Sequence, residues 1–380
     1  MPIKNFVISL LIVSAFCLTI SNAYSQSQPT NLSFSQFTPN PKTQISIDYD
    51  TMDLLLQNMV LPTGPSTRQS APRPQPPAGT RIVISHTSPY RLEGNKIAFY
   101  NFSREYTAII SNYRHELEDL SSKVNIEQMP RNEQLAYWFN LHNITMIEQI
   151  ALAYPVKIPT KIKVNVNNEK VLLNDAKILS INGTNLSLRD IRENIVYKYW
   201  EDSIVQYGFF LGNLGSPTID RVAFSSSNLS TVLKGNASEF TNSLRGFDKG
   251  RISLLYQDNA KFFFPDFQSD IRSHLKTHMR PEVAAELKTY TELKVAKYEY
   301  IIADMTGGSN NRTQGVPVLI TQNDSIPGVD LPPRGAAFAY IREIREKQRK
   351  LRDLGLSNRG TVVIQDIETP SGIKKSNIIN

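Results

Sequence analysis

Cysteine is nearly absent from this chain of 380 residues: the single one, Cys17, lies inside an apolar run at 6–20. If that run leaves with a leader, the mature chain holds no thiol, which excludes disulfides, thiolate metal sites and a cysteine nucleophile. Histidine is also scarce, with five. No Walker or Rossmann glycine pattern stands at a strand-to-helix junction, so a phosphate-cradling loop is not expected. The apolar run is too short for a convincing membrane anchor. Charge of one sign is modest: 42 Lys and Arg against 35 Asp and Glu give +7, which favours anionic surfaces but is far from a nucleic-acid-binding composition.

The amino end is the first thing present. Lys4 precedes the run and Ala23-Tyr24-Ser25 follows it, so residues 1–25 read as a cleaved secretory signal and the destination as periplasmic or extracellular. Phe16 puts a ring beside Cys17 where a lipid-attachment site takes a small residue. Losing Lys4 takes +7 to +6. About 355 residues remain, ample for a full core without disulfide staples.

Residues 26–46 form a polar leader. Met52, Leu55, Leu56 and Met59 repeat at helical spacing within 47–60, and a proline-rich irregular stretch occupies 61–80. The stretch 81–85 alternates like a strand. Tyr106, Ile109, Ile110, Tyr113, Leu117 and Leu120 predict an amphipathic helix begun by Ser103. Strands are predicted at 161–166, 252–256 and 298–304. Ser187 would cap a helix lined by Leu188, Ile191, Ile195 and Tyr199, and Phe267, Ile271, Leu275 and Met279 line another, with Pro281 starting the next. After a linker, 336–353 predicts a basic helix in which Arg342, Arg345, Lys347, Arg349, Lys350 and Arg352 surround a stripe of Phe338, Ile341, Ile344 and Leu351. Docking by that stripe is the favoured reading; weak membrane-surface or partner contact is the other. A terminal strand is expected at 360–367.

Residues 130–143 read Pro-Arg-Asn-Glu-Gln-Leu-Ala-Tyr-Trp-Phe-Asn-Leu-His-Asn. Pro130 suits the first helical position and Glu133 the positive end of the dipole. At about 100° per residue, Glu133 and Asn140 project within roughly 20° of each other and Asn143 about 60° further round. Leu135, Trp138, Phe139, His142 and Met146 lie opposite, so the helix has little free face and its asparagines need partners.

This segment resembles the signature of the domain-of-unknown-function 547 family, Glu-Gln-x-Ala-Phe-Trp-x-Asn-x-Tyr-Asn. The likeness continues through Tyr154-Pro155, Ser187-Leu188-Arg189-Asp190-Ile191 and Phe264-Pro265-Asp266-Phe267, and is read over 47–310, leaving 311–380 as linker, basic helix and tail. The resemblance supplies a fold rather than a reaction. Many members resemble His-Phe-Ala-Leu followed by Ser-Cys-Pro, where this chain places Gln206 and Ser216. By that alignment both groups of a thiol hydrolase have changed, and an amide cannot act as a base.

The fold expected is α+β: one helix-rich globular domain with short dispersed strands, plus a carboxyl-terminal extension carrying the basic helix. The catalytic candidates are Ser216, Gln206 and Glu133. Asn140, Asn143, His142 and Asp304 are the ligand-binding candidates, with a structural role favoured for the two asparagines and for His142. His274 and His278 stand at i and i+4, but the Lys and Arg around them and the missing glutamate argue against a metal. No metal and no cofactor are expected. The function expected is that of an exported, non-catalytic binding or scaffold protein with an unknown protein or peptide partner and no nucleic acid; the alternative is a hydrolase of peptide or cell-wall material using Ser216 or a carboxylate.

Overall fold

One helix, α3 (Arg131–Ala153), organises the chain: every residue from 133 to 148 on it is buried. A helix covered on all sides must satisfy most of its polar groups internally. Tyr137 donates to the Leu117 carbonyl at 3.0 Å, Gln134 to Met129 and Glu127 at 2.7 and 3.0 Å, and Thr145 back to Leu141 at 2.6 Å. Glu148 meets the Arg114 guanidinium at 2.6 Å. Pro130 sits one residue before the helix, not inside it, and its carbonyl accepts the first amides.

The computed structural model describes residues 34–74, 86–296, 298–309 and 336–356. The leader at 1–25, the strand expected at 81–85, the linker up to 335 and the strand expected at 360–367 lie outside them. Helix α2 (Arg104–Lys123) packs on α3 and helix α1 (Asp50–Met59) on α2, and Ser103 caps α2 by accepting the Tyr106 amide. On α2 the expected face includes Ile109, which is 51% exposed. Ile109 and Ile110 are about 100° apart, so packing Ile110 with Tyr113 and Leu117 turns its neighbour outward.

The strands are short pairs. Val60–Leu61 (β1) joins Lys96–Ile97 (β2), Lys163–Val166 (β3) joins Glu169–Leu172 (β4), and Leu179–Ile181 (β5) joins Thr184–Leu186 (β6), all antiparallel. Phe247–Asp248 (β7) pairs antiparallel with Arg251–Ile252 (β8), which pairs in parallel with Lys294–Val295 (β9). The result is a helix-rich α+β fold with dispersed strands, as the element pattern predicts. Two strand predictions need correction. The stretch 252–256 leaves its strand after Ile252, because Ser253 caps a short helix, α6 (Leu254–Asp258). The stretch 298–304 is bridged only at Ile302 and Asp304.

After β6 the chain forms a reciprocal cap. Ser187 Oγ accepts the Asp190 amide at 3.1 Å while the Asp190 carboxylate accepts the Ser187 amide at 2.7 Å. A π-helix, Asp190–Val196, comes next and runs into α4 (Tyr197–Tyr199). The wider turn carries the buried face on to Val196 and Tyr197, while the expected Tyr199 is only partly covered. Helices α5 (Leu229–Thr241), α6, α7 (Ala260–Phe263), α8 (Phe267–His278) and α9 (Pro281–Lys288) complete the second half, around a core that includes Phe240, Phe247, Tyr256, Ile271 and Leu275.

The basic helix, α10 (Ala336–Asp353), has the expected bounds and is docked. Tyr340, Ile341, Ile344 and Leu351 are buried, and Ile341 and Ile344 pack with Leu61, Ala98 and Met305. Lys347, expected among the outer charges, is buried too: its ammonium donates to the Leu92 and Gly64 carbonyls at 2.6 and 3.2 Å. It stands one turn from Ile344, so its stem continues the apolar stripe.

Three histidines are buried as neutral rings. Burial, then the Lys96 charge, lowers His86 to about 3; burial, then His278, lowers His274 to about 3; burial and Arg192 hold His142 well below the usual range. An unfolded chain protonates these rings near pH 6.5, whereas the native one protonates His86 and His274 only near pH 3, so stability falls as pH drops through that window. We expect His274→Gln to shrink the loss of stability between pH 7 and pH 5 by about 2 kcal/mol relative to the parent. Urea unfolding of both proteins at the two pH values checks this, and parallel losses would contradict it.

Candidate functional site

The two asparagines of α3 act as main-chain clamps. Asn140 Nδ2 donates to the Phe224 carbonyl at 2.7 Å, and its Oδ1 accepts the Phe224 amide at 3.0 Å. Asn143 does the same for a second loop, donating to Gly208 at 2.9 Å and accepting from the Phe210 amide at 3.0 Å. A primary amide mimics a peptide group, so each pair reproduces the bonding of two paired strands. Gly208 is required there, since a Cβ would strike the Phe139 ring. Glu133, third in the predicted polar line, accepts the Ile47 amide at 3.2 Å. The line exists, and its members hold three different segments.

His142 sets its own tautomer. Arg192 donates from Nη1 to Nε2 at 2.9 Å, so Nδ1 carries the proton and faces Asn143 Oδ1 at 3.1 Å. The ring also packs edge-on against Phe209.

Ser216 is fully buried, and its hydroxyl lies 2.7 Å from the Asn213 carbonyl and 3.1 Å from that of Pro217. A hydroxyl has one proton, which both carbonyls hold away from any base. The nearby cation is Arg245, bonded to the Ser216 carbonyl at 3.0 Å and paired with Glu239. Gln206 donates to the Ser203 carbonyl at 2.8 Å and accepts from Asn259 at 3.3 Å. Neither side chain bonds the other.

A network that sequence reasoning missed lies beside Gln206. His274 is 8% exposed, with Nδ1 2.8 Å from Ser203 Oγ and Nε2 2.7 Å from the Tyr207 hydroxyl, which bonds Tyr256 at 3.1 Å. Ser203 and His274 are 71 positions apart, so only an assembled fold reveals them. His278 stacks edge-on at 5.0 Å. Among the described residues no group of three or more His, Cys, Asp or Glu is placed to hold a metal.

Asp304 is buried within a ring of donors. Oδ1 accepts the amides of Thr306 at 3.0 Å, Gly307 at 2.5 Å and Gly308 at 3.1 Å, and Oδ2 accepts the Tyr154 hydroxyl at 3.0 Å. Gly307 and Gly308 have φ of 69° and 80°, which turns both amides inward and suits glycine. Burial pushes the carboxyl up against these donors. The glycine pair therefore serves an internal carboxylate, and Tyr154 and Asp304 tie the end of α3 to the chain's later half.

Beside Tyr154 runs a groove of about 650 Å³ between the start of α2 and the end of α3. Phe99, Tyr100, Phe102 and Leu152 supply apolar surface, and Arg104, Ser111 and Asn112 polar groups.

Replacing Asn140 or Asn143 by leucine strands a buried amide and carbonyl on the opposing loop. Each variant should lose about 1 to 3 kcal/mol of stability. Denaturant unfolding checks this; parent-like stability in both would refute the clamp.

Residues 126–241 match a family model, and this range holds α3, both clamps, the π-helix, Gln206 and Ser216 but stops before His274, Asp304 and α10. It is narrower than the 47–310 over which the motifs were read. Comparisons with curated proteins and with solved structures found no match. Residues 126–241, then, are similar to the family described as "Protein of unknown function, DUF547".

Proposed function

We propose that this chain is an exported, non-catalytic binding or scaffold protein that engages a protein or peptide partner in the periplasm or outside the cell. The observation that carries the reading is the bonding of Ser216: its hydroxyl is buried between two carbonyls, and no imidazole or carboxylate among the described residues bonds it. Gln206 and Glu133 are likewise occupied by internal bonds. Binding has a surface available in the aromatic groove, whose volume lies in the range of roughly 300 to 1,000 Å³ usual for ligand sites. No helix among the described residues is long and apolar enough to cross a membrane. The outward Arg342, Arg349 and Arg352 of α10 leave a basic face for weak contact with an anionic surface.

The hydrolase alternative gains one observation, the Ser203 hydroxyl at 2.8 Å from an imidazole. A general base works best with a pKa near the operating pH, however, and burial lowers His274 to about 3. The pair is better suited to fastening α8 to the 203–208 turn.

The mature protein should not be labelled by serine-directed fluorophosphonate probes. Peptide mapping after exposure tests this: a modified Ser216 or Ser203, lost in the matching alanine variant, would overturn the non-catalytic reading.

A further inference from the structure

Four arginines are buried among the described residues, and three of them face carboxylates. Arg91 pairs with Glu343, Arg114 with Glu118 and Glu148, and Arg245 with Glu239. The fourth, Arg192, is 9% exposed and has no ion pair among the described residues. Its neighbours are already committed: Glu193 holds Arg189 and Lys261, and Asp190 holds Lys177. Removing a charge from water costs several kcal/mol unless a counter-charge repays it.

The bonding of this guanidinium is one-sided. Nη1 alone makes its contacts, to His142 Nε2 at 2.9 Å, Asn174 Oδ1 at 3.2 Å and the Leu188 carbonyl at 3.3 Å. All three acceptors are neutral, so they orient the group without compensating its charge. Nε and Nη2 bond no described residue, and they are not among the buried polar atoms sealed away without a partner. They therefore reach accessible space. These two N–H groups are parallel and spaced for both oxygens of one oxyanion. The carrier of Arg192 is the π-helix Asp190–Val196, a rare geometry that recurs at functional sites.

We propose that Arg192 anchors a site for a small oxyanion, a carboxylate or phosphate group held side-on by Nε–H and Nη2–H. His142 and Asn174 are its positioning residues, fixing the fork from behind. The site is separate from the aromatic groove and from Ser216, and stands whether or not the chain binds a peptide.

The test uses the mature chain labelled with ¹⁵N, titrated with inorganic phosphate and separately with acetate, sodium chloride holding ionic strength constant. The Arg192 Nε–H resonance, assigned by through-bond correlation on the unaltered chain, should shift saturably with at least one anion, and the thermal midpoint should rise with it. Saturation by phosphate alone or by acetate alone assigns the group; either supports the site. Arg192→Lys keeps the charge but loses the fork and should weaken affinity by at least about tenfold. A resonance that shifts linearly or not at all in the unaltered protein, or equal stabilisation in Arg192→Lys, would overturn the proposal. The resonance is read on the unaltered chain, so the outcome does not hinge on a variant that fails to fold.

Discussion

The structure depends on side-chain amides standing in for strands. Helix α3 is buried from Glu133 to Glu148, yet the segments that cover it near Gly208 and Phe224 form no sheet with it. Loop backbone placed against a helix would leave amides and carbonyls unpaired at a cost of about 1 to 3 kcal/mol each. Asn140 and Asn143 remove that cost by exchanging two bonds apiece with the covering loops. Apolar residues at these positions would pack, but the loops would have no register.

The same clamps govern what chemistry the loops can do. The turn from Ser203 to Gly208 is held by Asn143 at its end, by Gln206 within it and by His274 at its start. Beyond it, Ser216 is fixed by the Asn213 and Pro217 carbonyls. A nucleophile needs a base and an accessible face, and this segment offers the hydroxyl neither. Arg192 and His142 extend the polar line sideways into the π-helix, where a fixed cation has one edge free.

Much of this was legible where the pattern is local. The stripes of α1, α8 and α10 come from spacing alone, and the angular separation of Glu133, Asn140 and Asn143 correctly implied buried polar groups seeking partners. What the residues could not tell was who the partners are. Asn140 meets Phe224 across 84 positions and His274 meets Ser203 across 71, and no local period encodes such pairs. The strand expected at 252–256 fails because a stretch with four apolar residues in five fits a strand and a buried helix equally, and the Ser253 cap decides between them. The π-helix Asp190–Val196 has no sequence period that separates it from an α-helix. Lys347 was placed outside by its charge, whereas the carbonyls that receive it come from residues 64 and 92.

Two side-chain amides, on this account, bind the covering loops as firmly as secondary structure would. Native-state hydrogen exchange of the Phe210 and Phe224 amides tests it directly, since both donate to asparagine side chains. Both should exchange only through global unfolding, with opening free energies equal to those of the α3 core amides. Exchange of either amide at the rate of a fraying loop, while α3 stays protected, would contradict it.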